Sequence, residues 1–174
     1  MSALALDHDG GQALREAWPQ VTALCRASFR SSLHFAIASN GADGHPHLTP
    51  IGSLLALDPG RALFFDLFAS GLRARLDADP RVCVLAVDSR RWTWLKAFWR
   101  GQFEVAPALR LYGRAGPVRS ATPAEKARWH KRVRWLLGLR AAREMWGRLD
   151  AVRELHFDRC LPVRIGSLTR ALCA

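Results

Sequence analysis

Apolar positions in the first thirty residues recur at intervals of three and four, at Ala13, Leu14, Ala17, Trp18, Val21, Leu24 and Cys25. That spacing predicts a helix over residues 11–30, bent near Pro19, whose nitrogen cannot donate to the helical ladder. The pattern then changes. Residues 34–39 read as a strand, Asn40-Gly41-Ala42-Asp43-Gly44 supplies turn residues, and residues 46–57 read as the return strand, closing at Asp58-Pro59-Gly60. A third strand is expected over 62–67. Ser70 can cap a helix over 70–79, which Pro80 stops before the β-branched run 82–87.

Residues 91–103 carry Trp92, Trp94, Phe98 and Trp99 without a period of two or 3.6, so they read as an irregular or partly helical crossover. Their aromatics are expected to fill the core or a dimer interface rather than to line a substrate site. A strand over 107–115 ends at Gly116-Pro117. Thr122-Pro123-Ala124-Glu125 then combines an N-cap, a proline at the first helical position and an acidic first turn. It opens a basic helix reaching about Leu149, with Gly138 as the point where it would divide. Trp135, Leu139, Ala142, Trp146 and Leu149 form a stripe expected to pack on the barrel or on a partner. Strands over 152–157 and 161–168, separated by Asp158-Arg159-Cys160, complete about seven strands and three helices: one α+β domain over residues 1–174 around a small β-barrel.

Composition fits that reading. Of 174 residues, 49% are hydrophobic and 24% charged, which excludes a disordered or collagen-like chain. Basic residues outnumber acidic ones 26 to 15 for a net charge of +11, and all but Lys96, Lys126 and Lys131 are arginines. Residues 122–149 hold eight basic and two acidic side chains, +6 of that total. An acidic partner is expected of such a surface, whether nucleic acid, anionic lipid or a phosphorylated ligand, though a solvated helix face is the simpler reading of the basic segment. Cys25, Cys83, Cys160 and Cys173 have no metal-ligand spacing. No export signal opens the chain and its apolar runs are strand-sized, so a soluble, cytoplasmic protein is expected.

Three segments carry a family resemblance. They are His34-Phe35-Ala36-Ile37-Ala38-Ser39-Asn40-Gly41-Ala42-Asp43-Gly44, then His45-Pro46-His47-Leu48-Thr49-Pro50-Ile51, then Leu63-Phe64-Phe65-Asp66 leading to Ser70, Leu76 and Asp79-Pro80-Arg81-Val82. In this order they resemble the pyridoxamine 5'-phosphate oxidase-like split-barrel family. The resemblance implies a split β-barrel homodimer, flavin mononucleotide (FMN) in a cleft between subunits, and oxidoreductase chemistry on a small molecule. It also implies site residues. Thr49, Pro50 and Ile51 would face the flavin edge, Phe65 and Asp66 would flank the ribityl tail, and Ser70, at a helix start with free N–H groups, would bind phosphate.

The chain departs from the family pattern at three places: its lysine falls on Leu72, its asparagine on Arg75 and its threonine on Asp66. Arg73 and Arg75 are the candidates to replace the lost cation. Helical geometry favours Arg73, one turn above Ser70, and turns Arg75 away. The family's C-terminal Trp-Arg-Leu and Arg-Leu-x-Pro segments are missing, so true pyridoxamine phosphate oxidase activity is not expected. No catalytic residue is assigned, since no hydrolase, metalloprotease or nucleotide-binding motif occurs. The alternatives are a haem or deazaflavin relative on the same fold, and a non-catalytic basic binding module. His45 and His47 share a strand face but read more simply as an exposed turn and strand start.

Overall fold

The computed structural model describes residues 10–67, 70–146 and 149–172. The chain runs α1 (Gly10–Ser32), β1 (Phe35–Asn40), β2 (Pro46–Ile51), β3 (Leu54–Ala56), β4 (Arg61–Phe65), α2 (Ser70–Ala78) and β5 (Arg81–Val87). It continues through α3 (Arg91–Arg100), β6 (Ala108–Ser120), α4 (Pro123–Val133), α5 (Arg140–Trp146) and β7 (Ala151–Pro162) to a 3₁₀ turn at Gly166–Leu172. The strands form one antiparallel sheet ordered β2-β1-β5-β6-β7-β4-β3.

That order dictates curvature. β2 and β3 occupy opposite edges, yet only Gly52 and Ser53 separate them in sequence. Three residue steps span at most about 11 Å, whereas six strand spacings laid flat span roughly 29 Å. The sheet therefore curls until its edges approach at this corner, giving the expected α+β split barrel. The expected single return strand over 46–57 is thus two strands. The break is made by buried Ser53, whose Oγ donates to the Phe65 carbonyl at 2.9 Å and accepts from the Phe65 N–H at 3.1 Å.

The expected last strand pair, by contrast, is the single strand β7, and β6 runs on through Gly116-Pro117. Register shifts between Tyr112 and Gly113 and between Ala115 and Val118 keep the two long strands paired. A Cβ on Gly113 would fall 2.0 Å from the His156 carbonyl oxygen, so only glycine fits there. These bulges, with the exposed Asp158 and Arg159, hide the strand's alternation in the sequence.

α1 is the expected single helix with Pro19 inside it, and buries Leu14, Trp18, Val21, Cys25 and Phe29. Two later helical segments differ from expectation. α3 is a regular helix, not an irregular crossover, and its period is obscured because its solvent face is aromatic too. Trp92 and Trp99 are 80% and 92% exposed and Phe98 is exposed. Only Trp94 packs inward, donating to the Asp88 carbonyl at 2.8 Å and meeting Phe103 edge-on. The basic helix divides around Gly138 into α4 and α5. Of its expected stripe, Ala142 and Leu149 are buried, whereas Trp135 and Leu139 face solvent. The Trp146 side chain and Arg148 lie outside the described residues. The core-facing residues of α4 are Trp129 and Val133, because the cap sets a different phase. Among the described residues no helix is long and apolar enough to cross a membrane.

The start of α4 is a complete capping box, Thr122 with Glu125. Glu125 also pairs with Arg119, which bonds Glu154 as well. Arg119 chiefly, with the cap's own hydrogen bonds, draws the Glu125 carboxyl from 4.5 down to about 2, against a smaller opposing push from burial. A depressed carboxyl stabilises the fold above its unfolded titration range and loses that contribution as pH falls through the folded value. Glu125→Gln should therefore cost of order 1 kcal/mol near neutrality. In thermal melts at a series of pH values, its difference from the wild type should be present above pH ~5 and shrink towards pH ~2.

Candidate functional site at the start of α2

α2 follows the end of β4, and its apolar residues Leu72 and Leu76 are buried against the barrel. Leu72 is turned fully inward, so the place where the family pattern carries lysine cannot present a cation here. The remaining faces of α2 carry the charges.

Arg73 reaches back seven residues, and its Nε donates to the Asp66 carboxylate at 2.7 Å. Asp66 is buried and its backbone N–H donates to the Ala151 carbonyl at 3.0 Å, so the acid is fixed and its charge neutralised. Hydrogen bonding and charge attraction from Asp66 hold the Arg73 guanidinium above its usual range.

Arg75 behaves contrary to the helical-geometry expectation. Its Nε donates to Ser39 Oγ on β1 at 3.0 Å, and its Nη2 donates to Thr49 Oγ1 on β2 at 3.1 Å. Its Nη1 lies 3.2 Å from where a Cβ on Gly71 would stand. The long side chain folds back over the glycine and brings the guanidinium to the first turn of its own helix. Cα direction alone suggested otherwise, but an arginine stem outreaches one turn when no Cβ blocks it. Gly71 and Ser39 are thus neighbours of Arg75 that the sequence did not single out. Their signals were a glycine directly after a cap residue and an inward polar position on an otherwise apolar strand face.

The acids on and beside α2 are all occupied. Asp66 pairs with Arg73, Asp77 with the buried Arg153, and Asp79 with Arg81. Arg81 first, and Asn40 second, hold the Asp79 carboxyl far below the usual carboxylate range. Arg75 alone of these α2 and flanking arginines bonds only neutral hydroxyls among the described residues. The start of α2 therefore carries an uncompensated positive charge beside the helix's free N–H groups, as an anion site requires.

The other expected residues are distributed around this point. Ser70 is the exposed first residue of α2. Thr49 is half-buried on the barrel-facing side of β2, whereas Pro50 projects to solvent and Ile51 is buried. Phe65 does not reach the surface: its ring is buried 6.0 Å from Trp129 and its backbone is bonded to Ser53. The structure joins Thr49 to Arg75, whose guanidinium lies over Gly71 next in sequence to Ser70, couples Asp66 and Arg73 as an ion pair, and leaves Phe65 as a buried anchor.

The sequence profile of pyridoxamine 5'-phosphate oxidase matches residues 21–161, most of the chain. The chain belongs to the pyridoxamine 5'-phosphate oxidase family. No curated protein sequence matches it. Among solved structures, an FMN-binding protein from Syntrophomonas wolfei subsp. wolfei superposes with a TM-score of 0.58 at 11% identity, over 89% of this chain and 97% of that one. HupZ from Group A Streptococcus gives 0.56 at 16% identity, over 85% and 94%. An F420 reductase gives 0.52 at 14% identity, over 78% and 94%. At these identities the likeness is one of fold.

Proposed function

We propose that the protein binds FMN at the start of α2 and acts as a flavin-dependent oxidoreductase on a small molecule. The observation that carries this reading is the uncompensated Arg75 guanidinium, held by Ser39 and Thr49 over Gly71 at the helix start. The fit to a phosphate is good: a cation fixed by two hydroxyls, first-turn N–H groups, and the one nearby acid that would repel it neutralised by Arg73. Family membership and the FMN-binding neighbour support the choice of flavin. When bound, the flavin supplies the electron or hydride transfer. The protein's own residues bind and orient it: Arg75 and the α2 start take the phosphate, buried Asp66 holds Arg73 in place beside β4, and the β2 backbone from Thr49 to Ile51 flanks the ring. Residues 161–168 lack the family's C-terminal substrate segments, which favours a substrate other than pyridoxamine phosphate.

A homodimer completes the site in this reading. β2 is an edge strand with Leu48 and Pro50 exposed, and α3 exposes Trp92, Leu95, Phe98 and Trp99 among its basic residues, so one chain offers a shallow wall rather than a groove. Sedimentation velocity of the FMN-reconstituted protein, followed at the oxidised-flavin band of about 450 nm, tests both points together. The flavin should travel with a species close to twice the 19.4 kDa chain mass. Colour that stays with free cofactor would overturn the flavin reading, and colour on a monomer would overturn the dimer.

A further inference from the structure

A second cationic site lies between α1 and α4, made of none of the residues that meet at the start of α2. There a cleft of about 650 Å³ is lined by Arg26 and Arg30 from α1, by Arg128, Lys131 and Arg132 from α4 and Trp135 just past its end, and floored by Phe29 and Leu55. The spacing explains the convergence. Arg26 and Arg30 are one turn apart on α1, and Arg128, Arg132 and Trp135 fall on one face running along and just past α4. Five cations thus face one concavity. None of them has a carboxylate partner among the described residues, whereas most other arginine clusters of this chain are interleaved with acids.

Arg132 is the fixed point of the cleft. Its Nη1 donates to the Leu54 carbonyl at 3.0 Å and its Nη2 to the Cys25 carbonyl at 3.4 Å, while its guanidinium lies 4.3 Å from the centre of the Phe29 ring. Carbonyls and an aromatic face orient the group without neutralising it, and leave N–H donors over. Burial above all draws its pKa down to about 10; Cys25 pulls it upward, and the neighbouring Arg26, Arg128 and Arg30 each push it further down by less. Holding a desolvated cation among like charges is costly, and a bound anion would relieve it. Arg128 is likewise tethered, through Nη2, to the Ala56 carbonyl at 2.8 Å.

We infer that this cleft binds a phosphorylated small molecule with a planar ring, of the nucleoside polyphosphate class. Five cations call for several negative charges, more than inorganic phosphate carries, and the aromatic wall calls for a ring beside them. The volume suits a molecule of nucleotide size. Trp135, 65% exposed at the cleft wall, offers a flat face for a ring to stack on. The cations line a hollow rather than a ridge, which favours a compact ligand over a nucleic-acid backbone.

The test is calorimetric titration of the full chain with ATP as probe, at near-physiological ionic strength and with FMN saturating. One ATP should bind per chain, with inorganic phosphate at least about tenfold weaker and adenosine weaker still. Arg26 and Arg30 are exposed and have no side-chain hydrogen bond or ion pair among the described residues, so Arg26→Glu/Arg30→Glu should fold and should weaken ATP by at least about tenfold. The same charge change at the exposed Arg110 and Arg143 should leave ATP binding within about twofold. Trp135→Ala should weaken ATP but not inorganic triphosphate. The inference is overturned if the cleft and control variants behave alike, if ATP binds only when FMN is absent, or if triphosphate binds as tightly as ATP. It is also overturned if a single-stranded oligonucleotide binds this face more tightly than ATP and displaces it, since the site would then be a nucleic-acid surface.

Discussion

Arg75→Ala should weaken FMN binding by about one to two orders of magnitude while changing riboflavin affinity by less than about twofold. The side chain supplies the one uncompensated cation at the start of α2, and charge-assisted hydrogen bonds to a phosphate are worth roughly 1.5–3 kcal/mol. Its loss removes that contribution only from the ligand that carries a phosphate. Arg75→Lys should recover part of the affinity, because charge returns but the two-pronged hold on Ser39 and Thr49 does not. Arg73→Ala should act differently. It leaves the buried Asp66 carboxylate without its partner, so FMN and riboflavin affinity should both fall, and thermal stability with them. Fluorescence titration of the two ligands against the three variants separates these outcomes. Equal losses for both ligands in Arg75→Ala would remove Arg75 from the phosphate site.

Trp129→Ala should be the most destabilising single change in the barrel's helical cover. The ring is completely buried, 5.6 Å from Phe29 in an edge-on contact and 6.0 Å from Phe65. It joins α4 to α1 and to the end of β4. Truncating a buried tryptophan costs about 3–5 kcal/mol in lost transfer energy and residual cavity, against a typical total stability of roughly 5–15 kcal/mol. Each kcal/mol corresponds to about 2–4 °C in a domain of this size, so the melting temperature should fall by roughly 6–20 °C. Trp129→Phe should recover most of the loss. A fall of only a degree or two in Trp129→Ala would show that α4 packs elsewhere.

How much of this was legible beforehand depended on where the information sits. Strand and turn positions around Asn40–Gly44 were legible because glycine and Asx residues act locally. So was the start of α4, where cap, proline and acid are consecutive. The partition of strands was not. A serine side chain replaces a ladder partner at Ser53, and bulges at Gly113 and Ala115 let β6 and β7 run past residues that otherwise signal a stop. α3 was obscured because aromatics occupy its solvent face as well as its buried one. At the candidate site, Thr49 and Ser70 were marked by motif order. The choice between Arg73 and Arg75 was not readable from helical phase. It depends on a buried acid drawing one side chain backward and on a glycine giving the other a path.

A phosphate site at the start of α2 is tested most directly by comparing FMN with riboflavin on the unaltered protein. Equilibrium titration of both ligands under the same conditions should give FMN at least about tenfold tighter, the increment expected of charge-assisted phosphate contacts. Equal affinities, or no measurable binding of either flavin, would contradict it.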